Sequence, residues 1–115
     1  MSLPQTPAKR RAPRMHFADL TPAVLRLQNG WRVPGNLQVV SVTGGLLCLD
    51  KPLSQGCEVK LMFVTDAGPV LGTAEMLRPA PGGQQAFRFT TLSENDQSKL
   101  RTVIQSSMAR NYLTH

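Results

Sequence analysis

Three arginines, a serine and a glycine are the residues of this 115-residue chain best suited to chemistry. Arg10, Arg11 and Arg14 lie in "KRRAPR", where Pro13 biases Ala12 toward an extended conformation and disfavours helix. An even separation along an extended chain turns two side chains the same way, so Arg10 and Arg14 can converge on one ligand while Arg11 points away. Fully extended, the pair stands ~13 Å apart, too far for one phosphate but suited to the two ends of a nucleotide. The second group is "VVSVTGG", Val39 to Gly45. Val39, Ser41 and Thr43 share one face of a strand there, which presents the Ser41 hydroxyl, and Gly44 allows close approach of backbone or ligand. Taken alone, Ser-x-x-Gly is also a common way to end a hairpin strand.

Catalysis finds little support. Asp19, Asp50, Glu58, Asp66, Glu75, Glu94 and Asp96 are spread over turns, a helix start and outward strand positions, and no two form an acid/base couple by spacing. The histidines, His16 and His115, lie near the chain ends, and Gly44-Gly45 lacks the Gly-Lys-Ser/Thr of a phosphate-binding loop. We expect no enzyme, no metal and no cofactor. Net charge is +6, and residues 1–14 supply four of those charges through Lys9, Arg10, Arg11 and Arg14. Basicity this local argues for a focused anion contact and against a broad face for duplex nucleic acid. Lys9 and Arg11 read as steering or solubility charges.

The elements that must position these residues are strands followed by one helix. Residues 1–13 read as a flexible basic arm and residues 14–115 as a single domain. "VLRLQ" closes at Asn29-Gly30, "RVPGN" offers a turn at Pro34-Gly35, and "LQVVSV" closes at Thr43 to Gly45. "LLCLD" is a short apolar run, and "CEVKLMFV" alternates, with Cys57, Val59, Leu61 and Phe63 on one side. Asp66 to Pro69 is a hairpin turn leading into "VLGTAEML", and the flexible "RPAPGGQQ" precedes "AFRFTTL". Turns at this rhythm predict a small antiparallel barrel or sandwich. Ser93 and Asp96 form a capping box for a helix whose stripe is Leu100, Val103, Ile104 and Met108, laid on the barrel as a lid.

Trp31 reads as a packing residue at the barrel mouth, and Met62 and Met76 as core. Arg88 reads as a solvated strand position that could also line a groove. Cys48 and Cys57 fit no disulfide or zinc spacing and read as reduced, buried strand residues of a cytoplasmic protein. Neither a signal-peptide core nor a membrane-inserting stretch is evident.

The order of the pieces resembles the PilZ family. Arg-x-x-x-Arg precedes the strands, a strand carries Ser-x-x-Gly-Gly, "LGTAEML" follows, and "FRFTTLSENDQSKLRTVI" is similar to the family's closing strand and helix. The resemblance runs from about Lys9 to Arg110. It implies an all-β fold, a six-stranded antiparallel β-barrel with a C-terminal α-helix. It further implies a bacterial receptor for cyclic di-GMP, with Arg10, Arg14, Ser41 and Gly44 at the matching positions, Arg11 beside them, and an unidentified protein partner downstream. Val39 occupies the position where the family carries Asp or Asn, and valine offers no acceptor to guanine. Many members with such departures act as protein-interaction adaptors that bind no nucleotide. A small barrel that binds RNA or single-stranded DNA is a further alternative, for which Phe17, Trp31 and Tyr112 are the aromatic candidates.

Overall fold

The computed structural model describes residues 13–113, with side chains described except at 18–20 and 109–113. Arg10, Arg11 and the rest of the arm lie outside the described residues. Six strands are present: β1 (Arg14–Arg26), β2 (Arg32–Ser41), β3 (Gly44–Cys48), β4 (Glu58–Thr65), β5 (Gly68–Pro79) and β6 (Gln84–Leu92). Helix α1 (Glu94–Leu113) follows. Every pairing is antiparallel, and the strands close in the order β1-β2-β3-β6-β5-β4.

The alternation of β4 works as its sequence demands: Val59, Leu61 and Phe63 are buried while Glu58, Lys60 and Met62 face out. They join Leu25, Leu37, Val40, Leu47, Val70 and Met76 in one core. Burying each such side chain contributes roughly 1.5–3 kcal/mol. The helix lies against β1, β4 and β5 and adds Leu100, Val103 and Ile104 to the same core. Its start is fixed by Ser93, whose Oγ accepts the Asp96 N–H at 3.1 Å and donates to Asp96 Oδ2 at 2.8 Å. Met108 is exposed and lies outside the buried stripe. Lys99 on the same helix donates from Nζ to the Pro69 carbonyl at 2.9 Å.

Several local expectations are corrected. The first strand starts at Arg14 rather than near Val24, because residues 14–16 pair with β2. Pro34-Gly35 is not a turn but part of β2. Pro34 pairs with Val24 on one side, while pairing to β3 begins only at Asn36, so its missing N–H breaks no ladder. Gly44 and Gly45 open β3 instead of closing β2, and the bend falls at Val42-Thr43. The Pro/Gly-rich stretch after β5 is built into the fold as a short 3₁₀ turn, Pro81–Gly83.

Next to that turn, the buried Gln85 side chain accepts from the Leu53 N–H at 2.9 Å. It also donates to the carbonyls of Leu53 and Leu77, both at 2.8 Å, and so ties the loop before β4 to the barrel. Trp31 is 72% exposed and packs no barrel mouth, and Met62, read as core, is 42% exposed, while Met76 is buried as expected. The cysteines are half-buried rather than buried, with Cys57 just ahead of β4. Burial pushes the Cys57 thiol above its ordinary pKa, which keeps it protonated at neutral pH.

Candidate ligand-binding site

Arg14, the described member of the arginine group, meets the second group in the β1–β2 ladder. Arg14 stands directly opposite Ser41, and His16 opposite Val39. Cα atoms of such partners lie about 4.5–5.5 Å apart. Arg14 therefore belongs to the barrel wall, next to Ser41.

What turns Val39 and Ser41 outward is a β-bulge. Leu37 is a core residue and pairs with Leu47, yet Val39 pairs with Leu46, so β2 spends one extra residue there. Simple alternation from Leu37 would send Val39 and Ser41 into the core. With the bulge, Val40 takes the core position, and Val39, Ser41 and Thr43 line an outer groove. Gln38, at the bulge, is anchored: its Oε1 accepts from Gln84 Nε2 at 2.9 Å and from Cys48 Sγ at 3.4 Å.

The groove encloses about 460 Å³ between the start of β1, the end of β2, β3 and β6. Arg14 and Arg88 supply its charge, Ser41 and Thr43 its hydroxyls, and Leu46 and Phe87 apolar surface. Among the described residues no carboxylate lines it. Arg88 pairs with Glu75 at the rim, with its side chain 58% exposed. Exposed pairs contribute roughly 0–1 kcal/mol, so Arg88 can be redirected to an incoming anion at little cost. Thr43 lies on the same side as Val39 and Ser41, as strand periodicity reads it. Arg88, read as a solvated position that could also line a groove, does line it, opposite Gly44.

Ser41 is 7% exposed and its hydroxyl is already engaged. It accepts the Thr43 N–H at 3.2 Å, shares a 2.9 Å hydrogen bond with Thr43 Oγ1, and lies 3.2 Å from the Gly44 carbonyl as donor. Ser41 thus shapes the bend and presents the exposed Thr43. At Gly44 the space a Cβ would take is filled by the Phe87 carbonyl and by Arg88 Cα, so the missing side chain brings β3 close to β6. Val39 is buried at the groove wall and carries no polar atom to offer. Among the described residues no group of three or more His, Cys, Asp and Glu side chains is placed to hold a metal, and no helix is long and apolar enough to cross a membrane.

A PilZ domain model matches residues 8–106 of the sequence. The chain belongs to the PilZ family. Solved structures of similar fold include YcgR from Escherichia coli in complex with c-di-GMP, with a TM-score of 0.79 and 17% identity over 92% of this chain and 49% of that one. The PilZ domain of YcgR with c-di-GMP gives 0.73 and 15%, covering 92% of this chain and 96% of that domain. The MrkH–c-di-GMP complex from K. pneumonia gives 0.76 and 15%, covering 93% and 55%. This PilZ domain thus spans about half the length of those YcgR and MrkH chains, and at these identities the likeness is one of fold. No curated protein is significantly similar to it in sequence.

Proposed function

We propose that this PilZ domain is a receptor for cyclic di-GMP, bound in the groove between the start of β1, the end of β2, β3 and β6. The observation that carries the reading is the register that sets Arg14 abreast of Ser41 at a groove free of carboxylates among the described residues. Arginine suits this ligand three ways: it forks onto phosphate, pairs with guanine O6 and N7, and stacks on a purine face. In the proposed complex Arg14 and Arg10 grip the nucleotide from the N-terminal side, with Arg11 adjacent, and Arg88 leaves Glu75 to meet a phosphate. Ser41 acts largely through the bend it holds, with Thr43 as the hydroxyl that reaches the ligand and Gly44 keeping the β3 wall close. Ordering of residues 1–13 over the bound nucleotide is the proposed signal to a protein partner.

Val39 sets the affinity. An Asp or Asn there would accept guanine N–H groups, a contact worth roughly 1–3 kcal/mol. Val39→Asp is therefore expected to tighten cyclic di-GMP binding about ten- to hundred-fold in calorimetric titration. Unchanged or weaker affinity in a folded Val39→Asp protein would remove the register assigned to this strand. The same valine favours a second reading, an adaptor that binds no nucleotide and works through its protein contacts. The absence of saturable heat with the wild type at high micromolar ligand selects that reading.

A further inference from the structure

A different face of the barrel carries two rows of side chains that the fold itself does not use. The first is cationic. Arg26 stands directly opposite Arg32 on β2 and directly opposite Lys60 on β4, and all three are exposed. Like charges placed abreast on a sheet repel one another, and neither ion pair among the described residues, Arg88–Glu75 and Lys99–Asp96, includes them. Among the described residues Glu58 is the one acid bordering the same recess as Arg26 and Lys60. The Thr90 hydroxyl near it, 3.3 Å from its carboxylate and 3.2 Å from the Thr73 carbonyl, leaves its charge in place, so three cations stand against one acid.

The second row is apolar. Val24 is abreast of Pro34 and Met62, and Met62 is abreast of Leu71. Val24, Met62 and Leu71 are 37%, 42% and 53% exposed, and Val64, next along β4, is 62% exposed. The rows are two residues apart along each strand, about 7 Å. Single exposed apolar residues are ordinary, whereas a contiguous row beside a charged one marks an interaction surface.

Trp31 is exposed in the turn that leads into Arg32, one residue before the cationic row. The turn is held by the Leu27 N–H to the Trp31 carbonyl at 2.8 Å and the Gly30 N–H to the Leu27 carbonyl at 2.9 Å. The Trp31 N–H adds a bond to Asn29 Oδ1 at 3.0 Å. A large aromatic side chain on an anchored backbone is a low-entropy anchor for a partner.

We propose that this face docks an acidic polypeptide segment bearing apolar side chains, its carboxylates on Arg32, Arg26 and Lys60 and its apolar groups on Val24, Met62 and Leu71. Charge decides among occupants. The chain's own N-terminal segment brings Lys9, Arg10 and Arg11 and no acid, and a second copy brings the same three cations against themselves. Shape decides against a bilayer. The apolar row crosses β2, β1, β4 and β5, four of the six strands of a closed barrel, so it follows a convex surface that a flat membrane would meet along only part of its length. The face stands apart from the nucleotide groove, which uses the opposite ends of β1 and β2 together with β3 and β6.

The test selects binders to the whole chain from random peptides of about 12 residues, which reach roughly 40 Å when extended. Trp31 is the sole tryptophan and adjoins Arg32, so its fluorescence reports on binding near the cationic row. The selected peptides are expected to be rich in Asp or Glu interleaved with Leu, Ile or Phe, and to shift Trp31 emission to shorter wavelength. Their affinity should fall at least about tenfold in Arg26→Glu/Lys60→Glu, and separately in Met62→Glu, with unfolding curves confirming that each variant is folded. The proposal is overturned if no peptide is selected, if the binders lack acidic residues, or if they hold the charge-reversed protein as tightly. It is equally overturned if Trp31 emission does not move on binding, or if phosphatidylglycerol vesicles shift it where the peptides do not. A concentration-dependent dimer that Met62→Glu abolishes would assign the face to a second copy instead.

Discussion

Arg14→Ala is expected to lower cyclic di-GMP affinity about a hundredfold, the equivalent of roughly 3 kcal/mol for a charge-assisted, bidentate contact. Arg14 is exposed at the first position of β1, so its removal leaves the core intact, and thermal stability should change by no more than about 0.5 kcal/mol. Arg14→Lys keeps the charge but not the planar fork, and an intermediate affinity separates recognition by geometry from attraction by charge. Calorimetric titration of wild type and both variants decides the matter. Wild-type binding that survives Arg14→Ala undiminished would detach the nucleotide from this groove. A wild type that takes up no ligand would leave the barrel as an adaptor.

Gly44→Ala is the substitution expected to damage the fold most for its size. A methyl group there meets the Phe87 carbonyl and Arg88 Cα, main-chain atoms of β6 that cannot swing aside as a side-chain tip would. Overpacking of this kind costs roughly 1–3 kcal/mol. For a domain of this size each kcal/mol lowers the melting temperature by about 4–8 °C, so a thermal scan resolves it readily. Any rearrangement that relieves the clash moves β3 from β6 and distorts the groove wall, so ligand affinity should fall along with stability. A Gly44→Ala protein as stable as the wild type would mean that the β3–β6 spacing is looser than described.

Much of this was legible in the residues themselves. The strict alternation of β4 and the Ser93–Asp96 helix start appear in the fold where local pattern places them. The turn read at Asp66 to Pro69 is there but narrower, at Asp66-Ala67, with Gly68 and Pro69 already in β5; each is decided by neighbours a few residues away. The closing of six strands came from resemblance to a family, since pattern alone allowed a sandwich. What pattern could not supply is long-range. The extension of β1 back to Arg14 depends on β2 pairing from residues 39 to 41. The bulge at Gln38, which sends Ser41 outward, depends on Leu47 and Leu46 across the ladder. Trp31 reads as a packing residue at the barrel mouth by residue type, yet in its turn between β1 and β2 it is left in solvent.

The β1 strand is tied down unevenly. Ala23 to Arg26 are paired on both sides, to β2 and to β4, while Arg14 to His16 are paired to β2 alone, beyond a break in register. The barrel can therefore stay closed while its first few residues peel away. Opening that stretch gives up one ladder and the burial of Met15, not the global free energy of unfolding. Arg14 thus sits on a separable latch. In hydrogen-exchange experiments, amides at residues 14–16 should exchange orders of magnitude faster than those at 23–26. Cyclic di-GMP should slow the first group and leave the second unchanged, and uniform protection along β1 would show that no such latch exists.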